Sequence, residues 1–280
     1  MLNMAAEPDV LDMLIKRILT SIIILAMLAA VIFILSPWAL CLLCAVFIVL
    51  GLIEFFGLAQ KKGIFVYKYC GLLFGVLFPV SFFLKKLTGI GPTDTQIMAA
   101  AIITLFLLQF IRRDKSSAFM SIAVSLFGLL YIAWFFTFFI KLRFLANGPI
   151  WISFVILVSK FGDVGAYLIG NRFGRHSLIQ RISPNKSVEG ALGGFLFSIL
   201  TAFVLGLFLP GLPVIHILIL GICLGILAQL GDLAESLIKR DAGVKDSGRI
   251  IPGFGGALDI IDSVLFTAPF LYFYLTLVRI

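Results

Sequence analysis

The sequence predicts an all-α protein, a polytopic transmembrane helix bundle of about nine spans, on three observations. The chain is 61% hydrophobic and only 13% charged, where a soluble domain is roughly 45–50% apolar and about 25% charged. Apolar runs of the length that crosses a bilayer, about 20 residues, recur along the chain. The basic residues cluster in alternate gaps between those runs.

The first run follows Lys16-Arg17 and extends to Leu35. A signal peptide's apolar region is about 7–15 residues long; this run is longer and more follow, so it reads as a retained helix over 18–35. Further spans are expected at 38–59, 64–84, 96–111, 118–140, 149–169, 190–209, 213–235 and 258–278. Their boundaries fall at Ser36-Pro37, Lys61-Lys62-Gly63, Gly89 to Pro92, Arg112 to Lys115, Asn147-Gly148-Pro149 and Pro210 to Pro213. Glycine and proline punctuate there for backbone reasons. No internal repeat or soluble domain interrupts the series. A division follows into N-terminal helices, 1–145, as scaffold or dimer contacts, and a C-terminal region, 146–280, with two cytoplasmic loops.

With the N-terminus inside, the inner gaps hold 16 Lys and Arg and the outer gaps 5, leaving Lys160 within a span. This positive-inside bias predicts a multi-pass inner-membrane protein with cytoplasmic N-terminus and active-site loops. It also accounts for most of the +8 net charge. No basic domain with interleaved aromatics is present, so nucleic acid is not an expected partner. Cys41 and Cys44 form a CxxC, but no second Cys/His pair accompanies them, and the two histidines, His176 and His216, are far apart. A zinc site is therefore not expected.

The N-terminal half is nearly free of membrane-embedded acids, Glu54 being the exception. Beyond residue 162, Asp163, Asp232, Glu235, Asp259 and Asp262 fall in or at the ends of apolar helices. A carboxylate there costs roughly 2.5–3.5 kcal/mol on insertion scales, so each needs a partner. Asp232, Glu235, Ser236 and Lys239 form one helical stripe; Asp259 and Asp262 share a face, as do Asp163 and Tyr167. An ion-pair network that glues helices is one reading.

The adjoining loops favour another. Ser183-Pro184 has the form of a helix start, which would set Lys186 and Ser187 beside exposed N–H groups suited to phosphate. The second loop runs through Lys239-Arg240, Lys245-Asp246 and Arg249 to Pro252-Gly253-Phe254-Gly255-Gly256. Basic loops suit a polyphosphate. Acids brought together by helices suit Mg²⁺, which commonly takes one or two carboxylates plus substrate phosphates. The combination points to metal-assisted phosphoryl or nucleotidyl transfer, possible with two cations.

The stretch from Ser236 through Lys239-Arg240, Lys245-Asp246, Gly248-Arg249, Pro252-Gly253, Gly255-Gly256 and Asp259 to Asp262-Ser263 resembles the signature of the phosphatidate cytidylyltransferase (CDP-diacylglycerol synthase) family. Gly231-Asp232 to Ser236, Asp163 to Tyr167 and Ser183 to Gly190 fit as well, so the resemblance covers about 155–270. Phe254 stands where the family usually has His, and Ile260 where it usually has Arg. The resemblance implies CTP plus phosphatidic acid giving CDP-diacylglycerol and pyrophosphate, at a membrane lipid surface. It assigns Asp232 and Asp259 as first metal ligands, with Asp163, Asp246 and Asp262 as candidates. Lys186, Lys239, Arg240, Lys245 and Arg249 go to the phosphates, and Ser183, Ser187, Ser236, Gly255 and Gly256 to substrate contacts. Glu235 and Glu189 stay open between structural and functional roles, and a homodimer is a possible assembly. The rivals are a CTP-dependent lipid or polyprenol kinase, an ion-coupled transporter and an inactive scaffold.

Overall fold

A computed structural model describes residues 25–112, 117–209, 211–248 and 255–278. Among these are nine helices, of which eight are long and apolar enough to cross a membrane. They are α1 (Leu25–Ile34), α2 (Pro37–Lys61), α3 (Lys68–Thr88), α4 (Asp94–Ile111), α5 (Ala118–Arg143), α6 (Gly148–Phe173), α7 (Val188–Gly206), α8 (Val214–Asp241) and α9 (Ala257–Val278). The α1 helix is the short one, because the first part of the expected 18–35 span lies outside the described residues.

Local chemistry sets the ends. Pro37 opens α2 at its first turn, where its missing N–H would have no partner. Thr93 and Gln96 form a reciprocal capping box at the start of α4. Gly89 ends α3 in the left-handed conformation, with φ of 74°. Within α5 a π-helical section covers Leu129–Trp134.

The buried side chains divide the helices into inner and outer members. Phe56, Phe78, Phe138 and Phe154 are fully buried where α2, α3, α5 and α6 meet. In α4 only Ile97, Ala101 and Leu105 are buried, one narrow stripe at helical spacing. Its remaining surface exposes Ile103, Phe106, Leu107 and Phe110. Such a face belongs in hydrocarbon rather than water.

In the C-terminal region, small residues let backbones approach. A side chain at Gly165 would strike Phe197, and one at Gly193 would strike Ile169. Ser198 Oγ donates to Val158 O at 3.1 Å across the same α6–α7 contact. Close helix pairing through small residues is the usual solution where lipid offers no hydrophobic drive.

Three boundaries differ from expectation in ways that bear on the site. The α6 helix runs on to Phe173, so Gly170 to Phe173 are helical rather than loop. The α8 helix continues to Asp241, placing Lys239 and Arg240 in its last turn. Ser183 does not start a helix. Ser183–Ser187 is a strand, β2, paired antiparallel with β1 (Ser177–Ile179) in register Ser177↔Ser187 and Ile179↔Ser183. The helix begins one element later, with Ser187 as its N-cap and its Oγ accepting from Gly190 N at 3.1 Å. Proline's fixed φ near −65° fits an edge strand as well as a first helical turn, and here the hairpin takes it.

Candidate active site

Four segments converge: the second half of α6, β2, the last turns of α8 and the first turns of α9. The stripe on α8 is as its spacing requires. Asp232 keeps a partly exposed side chain, Glu235 is wholly buried and Ser236 nearly so. Asp262 of α9 is also buried. Asp232, Glu235 and Asp262 each present one carboxylate oxygen within 4.8 Å of the others.

Three like charges this close repel, and two of them, Glu235 and Asp262, are buried. Leaving a buried charge unpaired costs several kcal/mol, so the cations around the group are informative. Lys186 of β2 pairs with Asp232. Lys239 pairs with Glu235 one turn before it. Lys160 of α6 donates to Ser263 Oγ at 2.9 Å, contacts Asp163 Oδ2 at 3.4 Å and stands 4.0 Å from Asp262 Oδ1. Glu235 is wholly buried, and the cation against it, Lys239, is shared with Asp259. A converging oxygen set of this kind suits a hard divalent cation.

Asp259 sits in a different environment. Its Oδ1 accepts from Lys239 at 2.6 Å. Its Oδ2 accepts from Gly256 N at 2.7 Å and from Ser247 Oγ and N at 3.0 and 3.3 Å. This carboxylate is committed to the start of α9 and to the loop before it. Lys239 is therefore the link between the three-acid group and the loop.

Glu54 of α2 completes that loop. It is 5% exposed, and it accepts from Ala257 N at 2.9 Å, Leu258 N at 2.8 Å and Ser247 Oγ at 3.0 Å. A carboxylate from the first half of the chain thus caps the first turn of α9, where the helix presents free N–H groups and positive potential. Gly248 and Gly256 lie so close that a side chain on either would strike the Glu54 carboxylate. Its one sequence signal was isolation: a lone acid in an apolar helix.

A cleft of ≈ 220 Å³ opens beside the acids, lined by Asp163, Asn171, Asn185, Lys186, Gln229 and Asp232 among others. Ser187 and the N-terminal turn of α7 form part of its wall. Arg240 braces the surroundings, its Nε donating to Ile182 O at 3.2 Å and its Nη1 to Val244 O at 3.3 Å. Glu189 holds the entrance to the hairpin, accepting from Arg175 N at 3.0 Å and pairing with His176 Nδ1 at 2.6 Å. Lys245 and Asp246 are exposed and line a separate groove with Lys61. Ser183 lies partly buried in β2, outside the cleft lining. Arg249 and Phe254 lie outside the described residues.

The structure thus brings Asp232, Asp262, Asp163 and Lys186 together and adds Glu235 and Lys160, which the sequence had not singled out for this role. It sets Asp246 and Lys245 apart.

Comparison with known proteins gives the chain its relatives. A model of the Cytidylyltransferase family matches residues 15–278. A phosphatidate cytidylyltransferase of Bacillus subtilis is 37% identical over 74% of this chain and 76% of its own length. One from Synechocystis sp. is 33% identical over 94% of this chain and 96% of its own. One from Staphylococcus haemolyticus is 36% identical over 71% and 76%.

Proposed function

The chain belongs to the phosphatidate cytidylyltransferase family, and from that premise we infer that its acid-lined cleft is where CMP passes from CTP to phosphatidic acid. The protein is a membrane-bound nucleotidyltransferase that makes CDP-diacylglycerol and pyrophosphate. The observation that carries the placement is the meeting of Asp232, Glu235 and Asp262 within 4.8 Å, beside a cleft walled by Lys186.

Both reactants are anions, so charge is the obstacle to be removed. A phosphatidate oxygen forms a bond to the α-phosphorus of CTP as the bond from that phosphorus to the bridging oxygen of the β-phosphate breaks. Pyrophosphate carries away the electron pair. The attacking oxygen is already ionised, so no strong base is needed. Mg²⁺, when bound, supplies charge neutralisation and alignment of phosphate oxygens.

The residues fit such an ion: three converging carboxylates, two of them buried. Asp232, Glu235 and Asp262 would hold it, with Asp163 close enough to Lys160 to orient that neighbour. Lys186 borders the cleft, where its ammonium can turn from Asp232 to a phosphate oxygen. Lys239 keeps Asp259 and Glu235 in register. The N-terminal turn of α7, at Ser187 to Gly190, adds the positive end of a helix to the wall that faces the same anion. Asp259 serves by fixing the loop rather than by joining the three-acid group.

The 16-to-5 distribution of Lys and Arg supports a cytoplasmic position for this end of the bundle at the inner membrane, on the side where CTP is found. The apolar outer faces of α3 and α4 would be covered by lipid or by a second copy of the chain.

The deciding assay supplies CTP and phosphatidic acid in detergent, with and without Mg²⁺, and follows labelled nucleotide and lipid. CDP-lipid and pyrophosphate are expected, dependent on Mg²⁺. Release of CDP with a newly phosphorylated lipid would replace this reading with that of a kinase.

A further inference from the structure

Tyr131 of α5 is 3% exposed, and its hydroxyl is buried without a hydrogen-bond partner. The ring is held firmly. It stacks on Phe127 at 5.4 Å between centroids and meets Phe266 of α9 edge-on at 6.0 Å and Phe55 of α2 at 6.5 Å. Phe266 is one turn beyond Asp262 on the same helix. Asp262 belongs to the three-acid group with Asp232 and Glu235.

Two features separate this tyrosine from ordinary filling. The chain has 29 Phe residues, several of them packed around this ring. A phenylalanine would fill the same space without an unpaired hydroxyl, which costs about 1–3 kcal/mol when buried. The second feature is the backbone. Tyr131 lies inside the π-helical section Leu129–Trp134. Such sections insert an extra residue into the turn, rotating the following side chains by roughly 100° relative to a regular helix, and they recur at functional sites.

The three acids converge within 4.8 Å of one another, and Glu235 is wholly buried with a cation, Lys239, that it shares with Asp259. None of them accepts from the Tyr131 hydroxyl, which has no protein partner. An oxygen held at the acid group would give that hydroxyl its acceptor.

We propose that Tyr131 is a further catalytic residue, whose hydroxyl donates a hydrogen bond to an oxygen held at the Asp232–Glu235–Asp262 group. That oxygen belongs either to water on the bound cation or to a phosphate of the nucleotide. This proposal rests on the metal-site reading given above. It makes the N-terminal half of the chain a contributor to the reaction and not only its support.

The test uses Tyr131→Phe in the full-length protein in detergent, which deletes one oxygen and keeps the packing. Thermal unfolding is measured without metal, with Mg²⁺ alone, and with Mg²⁺ plus a non-hydrolysable CTP analogue. Turnover and the Mg²⁺ concentration for half-activation are measured alongside. The expected result is a Tm without metal that is no lower than that of the wild type and a fall in kcat of at least about tenfold, as for other lost donors to developing charge. If the acceptor is water on the cation, the Tm rise from Mg²⁺ alone shrinks and half-activation moves to higher Mg²⁺. If it is a phosphate oxygen, only the rise with the CTP analogue shrinks. Wild-type kcat with both Tm rises intact would overturn the proposal. So would a lower Tm without metal, which would make the hydroxyl structural. A wild type that makes no CDP-lipid would count against the function assigned above, while the Mg²⁺ arm would still judge Tyr131.

Discussion

Leu258 N donates to Glu54 Oε2 at 2.8 Å, joining positions 204 residues apart in the chain. The bond fixes the first turn of α9 to α2, and with it the loop that carries Ser247 and the carboxylate of Asp259. Glu54→Ala would leave Ala257 N, Leu258 N and the Ser247 hydroxyl without this acceptor. Unmade buried hydrogen bonds cost about 1–3 kcal/mol each. A fall in Tm of several degrees and a loss of turnover beyond about tenfold are expected. Glu54→Gln keeps one acceptor oxygen and should lose less of both. Thermal unfolding in detergent, run beside the cytidylyl-transfer assay, checks this; an alanine variant with wild-type Tm and rate would show the cap to be dispensable.

Asp232→Asn and Asp259→Asn should each abolish turnover while the protein still inserts, but for different reasons. Asp232 belongs to the three-acid group and pairs with Lys186. Its amide variant should lose the Tm rise caused by Mg²⁺. Asp259 accepts from Lys239, Gly256 and Ser247. Its amide variant should keep part of that Mg²⁺ response and instead lose stability of the loop, read as faster proteolysis between 244 and 256. Equal Mg²⁺ responses in the two variants would put Asp259 back among the ligands.

The cytoplasmic placement can be tested by thiol labelling in a background without native cysteines, because Cys70 and Cys223 are only half-buried. Lys245→Cys, exposed in the groove with Lys61, should react with a membrane-impermeant reagent in inside-out vesicles and not in intact cells. Lys86→Cys at the far end of α3 should show the opposite pattern. Labelling of position 245 from outside would reverse the bundle and deny the cleft its CTP.

Most spans were legible because hydrocarbon imposes one simple rule, about 20 apolar residues per crossing. Eight of the nine expected helices appear among the described residues long enough and apolar enough to cross a membrane, and the first expected span only from Leu25 on. The acids at Asp232 and Asp262 were legible because carboxylates in apolar helices need compensation. What the sequence hid was pairing over distance. Ser183-Pro184 looked like a helix start because proline's φ serves both states, and only the partner strand at 177–179 decides between them. Glu235 shares one stripe with Asp232 and Lys239, which fits an ion pair as well as a cation site. Tyr131 had no signal at all in a run rich in aromatics, since its meaning lies in a π-helical turn and in acids more than 100 residues away. Glu54 was visible as an anomaly, but its three donors all come from the other end of the chain.

The last expectation concerns Gly255 and its neighbour Phe254. Gly255 has φ of 89°, a region that L side chains rarely adopt, and a Cβ there would stand 2.7 Å from Asp259 Oδ2. Gly255→Val therefore meets two obstacles at once: backbone strain, and a clash with the carboxylate that organises the loop. Loss of activity by more than about a hundredfold is expected, equivalent to roughly 2.7 kcal/mol in barrier. Phe254 stands where the family resemblance leads His to be expected, and the chemistry argues that the exchange is tolerated. The attacking oxygen is already ionised and the leaving group is pyrophosphate, so proton transfer contributes little to the barrier. The wild type should be active, and Phe254→His should change kcat/KM by less than about tenfold, or 1.4 kcal/mol. Steady-state kinetics of the two variants beside the wild type make the comparison. An inert wild type restored by Phe254→His, alone or with Ile260→Arg, would mean that the imidazole does chemistry which this account assigns to metal and lysines. A fully active Gly255→Val would mean that the backbone at the start of α9 need not be held as the structure holds it.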